Sequence, residues 1–579
     1  MAPAKSHLAR SGADLSCDRG VNCRLVAIAK PTFVDAPVGA ARNKVRVMKR
    51  KTHWSRRPMV VACVCAAAVV SFAACGGPGG SDSEATLIDG GTARVGLTSP
   101  VSNFDPYSLD GFGVAKYAYD SLVNITIDGD IVSGLATEWD STATSATFTL
   151  RPDVTCSDGS TLTATDVADA ITYASDPANQ LQAAQLLLPS VPFTVEGDDD
   201  TSTVEVVMSE PYSFSVRTVG LLPIVCPSGL ADPESLTSTT HGTGPYELAD
   251  YSSAGPYELT VRDGYAWGPD GASTDEPGVP AKVVISVVPS EATKANLLTA
   301  GDLEIAVVAG PDQARLDAAG LFSAPIPTVA GITYFNQAAG RPLADTALRT
   351  ALIEALDRQA LANVAVGGEG KPATALGPAN AVCHADIVDA NLPEGDALDT
   401  LAAAGWSQAG GRLEKDGDQL SIRVLTLSSD TQLMAVAELM GKMWADLGID
   451  IEMLAQDATS FTSTLYETGN WDVLVGASSI SLPTTLIPVL SGPPPPDGTN
   501  FSHIENDEYS SAVSEALTKE DTDSCPFWQQ ADAALLQAAD ILPIAESSTY
   551  YWGQNVRFAL TATGANSPAV DPSSIRLSE

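Results

Sequence analysis

Residues 59–74 form sixteen consecutive positions without a charged side chain, and this run governs what the rest of the chain can become. Lys49, Arg50, Lys51, Arg56 and Arg57 precede it, and Cys75, Gly76 and Gly77 follow it. As a helix the run would span about 24 Å at ~1.5 Å per residue, short of the ~30 Å hydrocarbon core of a bilayer. A basic lead, a short apolar stretch and small residues ahead of a cut predict an export signal over residues 48–74. Export signals begin within a few residues of the start, so Met48 is the expected first residue. Residues 1–47 are then expected to be untranslated or without structure. What lies beyond the cut is expected to reside outside the cytoplasm, where disulfides persist.

Charge divides at the same place. Residues 1–74 carry 13 Lys and Arg against 3 Asp and Glu, whereas the remainder carries 19 against 68, a net of −49. A body this acidic repels phosphate backbones, which excludes a nucleic-acid partner. It equally excludes docking on anionic lipid through a basic surface. Hydrophobic residues at 44% and charged residues at 18% are ordinary for a globular chain, so the body is expected to fold. Ser71-Phe72-Ala73-Ala74-Cys75 with Gly76-Gly77 resembles the lipobox of bacterial lipoproteins. The resemblance implies that Cys75 carries lipid and becomes the mature N-terminus. Residues 75–85, rich in Gly and Ser, then read as a flexible tether.

Nine Cys are present. Cys17, Cys23, Cys63 and Cys65 lie before the cut and Cys75 is the lipid candidate. Cys156, Cys226, Cys383 and Cys525 remain, and four Cys permit three pairings. No C-x-x-C spacing occurs and only His384 adjoins any of them, so no metal is expected. The body's three His (His241, His384 and His503) show no H-E-x-x-H or other ligand spacing. The G-x-S-x-G elbow and the phosphate-binding G-x-x-x-x-G-K-[ST] loop are both absent. His241-Gly242-Thr243-Gly244-Pro245 lacks the third glycine of a dinucleotide site and reads as a turn. The expectation is a protein that is not an enzyme and takes no cofactor.

Along the body, β-rich runs alternate with helical ones. Residues 92–97, 146–150, 281–288 and 471–476 read as strands. Residues 114–123 have helical spacing, and Thr165 is placed to cap a helix over 166–173. Residues 290–298 form a helix stopped before Gly301. Leu348, Ala351, Leu352, Ala355 and Leu356 make one apolar stripe. Leu433, Val436, Met440, Met443 and Leu447 make another, closed by Gly448. Strand and helix mixed without regular βαβ periodicity argue for α/β or α+β architecture.

Several segments in order resemble one family. Leu150-Arg151-Pro152-Asp153-Val154-Thr155-Cys156-Ser157-Asp158-Gly159, continued by Leu162-Thr163-Ala164-Thr165-Asp166-Val167, is similar to the signature of the family 5 extracellular solute-binding proteins, which serve ABC importers. Gly134-Leu135-Ala136-Thr137-Glu138-Trp139, Asn103-Phe104-Asp105-Pro106, Gly242-Thr243-Gly244-Pro245-Tyr246, Tyr334-Phe335-Asn336, Ala404-Gly405-Trp406 and Asp540-Ile541-Leu542-Pro543-Ile544 fit the same pattern. The resemblance implies an α/β, two-lobed fold like that of type II periplasmic binding proteins, with an inserted subdomain and a hinge. Lobe I is expected from 86–125, 241–325 and 540–579, the insertion from 126–240 and lobe II from 326–539. Strands crossing between the lobes are expected near 332–336 and 542–547. Keeping each disulfide within one of these domains selects Cys156–Cys226 and Cys383–Cys525.

The resemblance also implies ligand contacts from the loop after the first strand, here Ser99, Val101, Ser102 and Asn103, and from the segment after Gly476, here Ser478 and Ser479. Peptide-binding relatives often place an Asp in that second segment to hold the peptide's ammonium group. Here Ala477-Ser478-Ser479-Ile480-Ser481-Leu482-Pro483 contains no acid. The implied partners are a small solute, most often a peptide, together with permease and ATPase subunits in the membrane. The protein is expected to be a monomer on the outer face of the cell membrane, or in the periplasm where an outer membrane exists. A ligand sensor for a signalling partner, or a binder of an oligosaccharide, remain the alternatives at this stage.

Overall fold

The computed structural model describes residues 86–579 apart from 110, 254, 478–481 and 563–567. Cys75 and the residues around it therefore lie outside the described residues. Among the described residues an eight-stranded sheet and a five-stranded sheet carry the two halves of the fold. The larger sheet runs in the order Phe322–Val329, Ala545–Gly553, Ile305–Val308, Thr92–Leu97, Lys282–Val287, Tyr257–Val261, Tyr246–Asp250, with Lys371–Pro372 alongside Ala545 and Glu546. Thr92–Leu97 is parallel to Lys282–Val287 and to Ile305–Val308, and the other pairs are antiparallel.

The five-stranded sheet runs in the order Asp450–Gln456, Ser421–Leu427, Val473–Gly476, Ile332–Phe335, Ile541–Pro543. Its first three strands are parallel, and Ile332–Phe335 is antiparallel to both of its neighbours. Both faces of Val473–Gly476 are covered, which is why its sequence is a plain apolar run. A four-stranded sheet, Ala136–Thr142, Ser145–Leu150, Thr203–Met208 and Phe193–Asp198, builds a third element; Thr203–Met208 buries every second side chain, as a half-covered sheet requires. The molecule is thus α/β and two-lobed.

The helices form where their ends are satisfied. Ser290 caps Glu291–Ala300, and Gly301 closes it in the left-handed conformation. Asp430 caps Thr431–Asp446, which buries Leu433, Val436, Met440 and Trp444 against the five-stranded sheet. Two sequence expectations are corrected. The cap of Ala164–Ser175 is Thr163, which forms a capping box with Asp166, while Thr165 bonds to Asp199 instead. The stretch 114–123 is not one helix: only Phe112–Ala115 is helical, and Val123–Ile125 is a strand. The carbonyls of Tyr117 and Ala118 accept from Tyr246 and Gly244, so a distant segment takes the groups a longer helix would need. Gly244 permits that approach, since a Cβ there would stand 2.4 Å from the Ala118 carbonyl carbon.

Cys156 is bonded to Cys226 and Cys383 to Cys525. No helix among the described residues is long and apolar enough to cross a membrane, and no group of three His, Cys, Asp or Glu among them is arranged to hold a metal ion.

Candidate ligand-binding site

Two passages of the chain between the large sheets lie side by side, and from the stretch between them Lys371–Pro372 also joins the larger sheet. Phe322–Val329 leaves the larger sheet and becomes Ile332–Phe335 of the smaller one. Ile541–Pro543 returns as Ala545–Gly553. The strands pair on both sides of the junction, Val329 with Glu546 and Ile332 with Pro543. Between them Ala330 donates to the Ala545 carbonyl at 2.8 Å and Ile544 to the Gly331 carbonyl at 3.0 Å. Gly331 has φ +131°, and a Cβ there would meet Leu433 Cδ2 at 2.7 Å. The junction is therefore narrow, two-stranded and built around a residue with no side chain.

Register sets the direction in which the two predicted ligand loops leave their sheets. Val308 pairs with Tyr550 and Ile305 with Gly553, so the C-terminal end of Ile305–Val308 points toward Ala545 and the crossing. Thr92–Leu97 is parallel to that strand, so the loop beginning at Thr98 leaves on the same side. On the other sheet Ile332 pairs with Gly476, so Val473–Gly476 also ends at the crossing. The Gly476 carbonyl oxygen would lie 3.1 Å from a Cβ on Gly331. Both loops emerge at the carboxyl ends of their strands, where open α/β sheets form their ligand crevice.

The first loop is held rigidly from behind. Lys294, fully buried, pairs with Glu291 at 2.6 Å and donates to Thr98 Oγ1 at 2.9 Å. The Tyr257 hydroxyl accepts from the Val101 N–H at 2.9 Å and donates to the Val101 carbonyl at 3.0 Å. Tyr251 donates to the Ser102 carbonyl. Phe104 stands edge-on to both rings, with centroids 6.0 and 5.5 Å away. Asp105 accepts from the Tyr107 N–H, and burial raises its carboxyl above the usual range.

The four candidates of this loop therefore differ. Ser99 and Ser102 are exposed. The side chain of Val101 is buried in the core under the large sheet, and both its backbone groups are already bonded to Tyr257. Asn103 Oδ1 is engaged by Asp105 N and Ser108 Oγ, which makes it a turn-former. Ser478 and Ser479 lie outside the described residues, and Ala477 before them is exposed. Tyr251 and Tyr257, which hold the loop, are residues that sequence reasoning missed. Their separation of about 150 positions from the loop leaves no local signal.

A second set of contacts joins the two halves away from the crossing. Arg217, buried, makes a two-pronged pair with Asp521 at 2.5 and 3.2 Å and donates to the Gly129 carbonyl at 2.8 Å. Asp521 N donates to the Ser213 carbonyl at 2.7 Å, and Ser213 Oγ donates to the Ala516 carbonyl at 2.9 Å. Phe214 stacks on Trp528 with centroids 6.2 Å apart. These residues belong to the segment carrying the four-stranded sheet on one side and to helices following the five-stranded sheet on the other. They make a contact that rotation about the crossing would have to break.

Comparison with known proteins places this geometry in context. Residues 130–489 match the family described as bacterial extracellular solute-binding proteins, family 5 Middle. Protein XP55 of Streptomyces lividans is 29% identical over 404 residues, covering 66% of this chain and 70% of its own length. The oligopeptide-binding protein OppA of Mycobacterium tuberculosis is 27% identical over 422 residues, covering 67% and 68%. The oligopeptide-binding protein AppA of Bacillus subtilis, solved with a nonapeptide, superposes with a TM-score of 0.62 at 16% identity, covering 86% of this chain and all of that one.

Proposed function

Because this chain belongs to the family 5 bacterial extracellular solute-binding proteins, we propose that it is the lipid-anchored capture component of an ABC importer, taking a peptide between two lobes and presenting it to a membrane permease and its ATPase. The observation that supports the reading is the pair of neighbouring strands that joins the two large sheets, with the strand ending at Gly476 beside it and the loop after Leu97 leaving its sheet in the direction of that crossing. A solute touching both loops favours the state in which the halves are closed together, in proportion to its differential affinity for that state. The closed surface is then what the permease recognises.

In this reading residues 86–125, 241–325 and 540–579 form one lobe, 126–240 its inserted subdomain and 326–539 the other lobe. Ser99, Ser102, Ser478 and Ser479 supply polar groups to the solute. Attachment comes from lipid on Cys75, because a body at −49 is repelled by anionic headgroups. A monomer suffices, since both walls of the crevice come from one chain.

A thermal-shift screen of the mature protein against di- to pentapeptides, oligosaccharides and metal chelates tests the solute class. A ligand at 100 times its Kd stabilises the folded state by about 2.7 kcal/mol, well within detection. Peptides are expected to raise Tm. A shift confined to another solute class would overturn the peptide reading.

A further inference from the structure

Three strands of the larger sheet run parallel and end on the side of the crossing: Thr92–Leu97, Lys282–Val287 and Ile305–Val308. A segment leaves each end, beginning at Thr98, at Val288 and at Ala309. One ion pair touches all three. Lys294 and Glu291 stand one turn apart at the start of helix Glu291–Ala300, which the chain enters from Val288 through the Ser290 cap. Lys294 Nζ pairs with Glu291 Oε1 at 2.6 Å and donates to Thr98 Oγ1, 196 positions away, at 2.9 Å. Glu291 Oε2 accepts from the Ala309 N–H at 2.8 Å.

The lysine sits where a charge is costly. Lys294 is 0% exposed, and its stem passes beside Gly96, where a Cβ would stand 3.8 Å from Lys294 Cγ. Ala295 and Leu298 of the same helix belong to an apolar core with Ala306 and Val308. A methionine at 294 would be buried without the desolvation of an ammonium. The counter-charge stays partly in water, with the Glu291 side chain 39% exposed, and Thr98 is exposed. The helix needs Lys294 for neither of its ends, since Ser290 caps one and Gly301 closes the other. Helix stability therefore does not account for this buried charge, whereas the joining of three segment starts does.

We propose that Lys294 is a positioning residue for solute capture: with Glu291 it fixes the segments after Leu97, Val287 and Val308 relative to one another, so that this wall of the crevice is in place before a solute arrives. A wall already ordered escapes the ordering cost on binding, which raises affinity mainly through slower release. Tyr257 holds the first loop at Val101, whereas Lys294 holds its start and, through Glu291, couples it to the segment at Ala309. The effect on affinity rests on the capture of a peptide in the crevice; the coupling of the segments does not.

The test compares the mature wild-type protein with Lys294→Met, Thr98→Val and Tyr257→Phe, by calorimetric titration with trialanine and by amide hydrogen exchange without solute. Lys294→Met removes a buried charge and leaves partly exposed groups behind, so its urea midpoint is expected at or above that of wild type while trialanine binding weakens about 5- to 20-fold. Thr98→Val keeps the ion pair and should weaken trialanine binding about 3- to 10-fold at an unchanged midpoint. Lys294→Met should speed exchange in residues 98–102 and at Ala309 and Gly310 together, and Tyr257→Phe in the first segment alone. Unchanged trialanine affinity in both Lys294→Met and Thr98→Val would overturn the proposal while leaving peptide capture intact. Weaker binding by Lys294→Met with a lowered midpoint and faster exchange along the whole helix would assign the lysine to stability and overturn it as well. Wild-type protein that binds no trialanine would overturn peptide capture; exchange in Lys294→Met then decides, and a rise that does not reach both segments would overturn the coupling.

Discussion

At the scale of single residues, the buried charges show how costly isolation is and how differently this chain treats it. The Arg349 guanidinium donates to the carbonyls of Leu343, Ala538 and Ala539 and to the Asp540 carboxylate at 3.1 Å. Asp540 also accepts from Gln337 and Asn506. Replacing Arg349 by Ala strands Asp540 and several carbonyls, so a loss of about 3–5 kcal/mol is expected from urea unfolding. Arg349→Lys should recover only part of it, because an ammonium cannot match the planar fork. Asp532 has no such company, and burial pushes its carboxyl up to about 7. With a folded pKa above the unfolded one, its contribution is fully present below about pH 4 and is lost as pH rises through 7. Relative to wild type, D532N is expected to be more stable at pH 8, by up to a few kcal/mol, with the difference shrinking toward pH 4 in a series of Tm measurements.

At the scale of elements, ends were easier to read than partners. Ser290 and Gly301, or the stripe from Leu433 to Leu447, declare a helix through neighbours in sequence. Thr165 reads as the cap, yet it bonds to Asp199, 34 residues away, and Thr163 caps the helix. Residues 114–123 carry helical spacing, yet the carbonyls of Tyr117 and Ala118 bond to residues 246 and 244, which no local pattern reveals. The site divides the same way. The loops offered for ligand contact follow strand ends and rest on family resemblance, whereas Tyr257 and Tyr251 act from afar. The contact through Arg217 and Asp521, 304 positions apart, was not legible at all. Breaking it with Arg217→Ala is expected to favour the open arrangement, seen as a larger radius of gyration by small-angle scattering of the unliganded protein and as weaker solute binding. An unchanged radius together with unchanged binding would show that the contact does not restrain closure.

At the scale of the whole molecule, cross-links and connectivity set the limits. The two disulfides close loops of 70 and 142 residues, each worth about 4–5 kcal/mol in the chain-entropy account. Cys156→Ser with Cys226→Ser should lower the urea midpoint without changing the fold, read by circular dichroism. The crossing has a consequence of another kind. Residues 332–543 depart and return through antiparallel neighbours, so the two ends of that stretch stand about one strand spacing apart, roughly 5 Å. A segment whose ends coincide is topologically a graft: it can be cut out and its host closed with a short turn, or moved onto another host with the same two-strand stump. Exchange of whole crevice walls between related chains then needs two splice points, at residues that already sit side by side, and a host surface matched to Lys371–Pro372, Asp521 and Trp528.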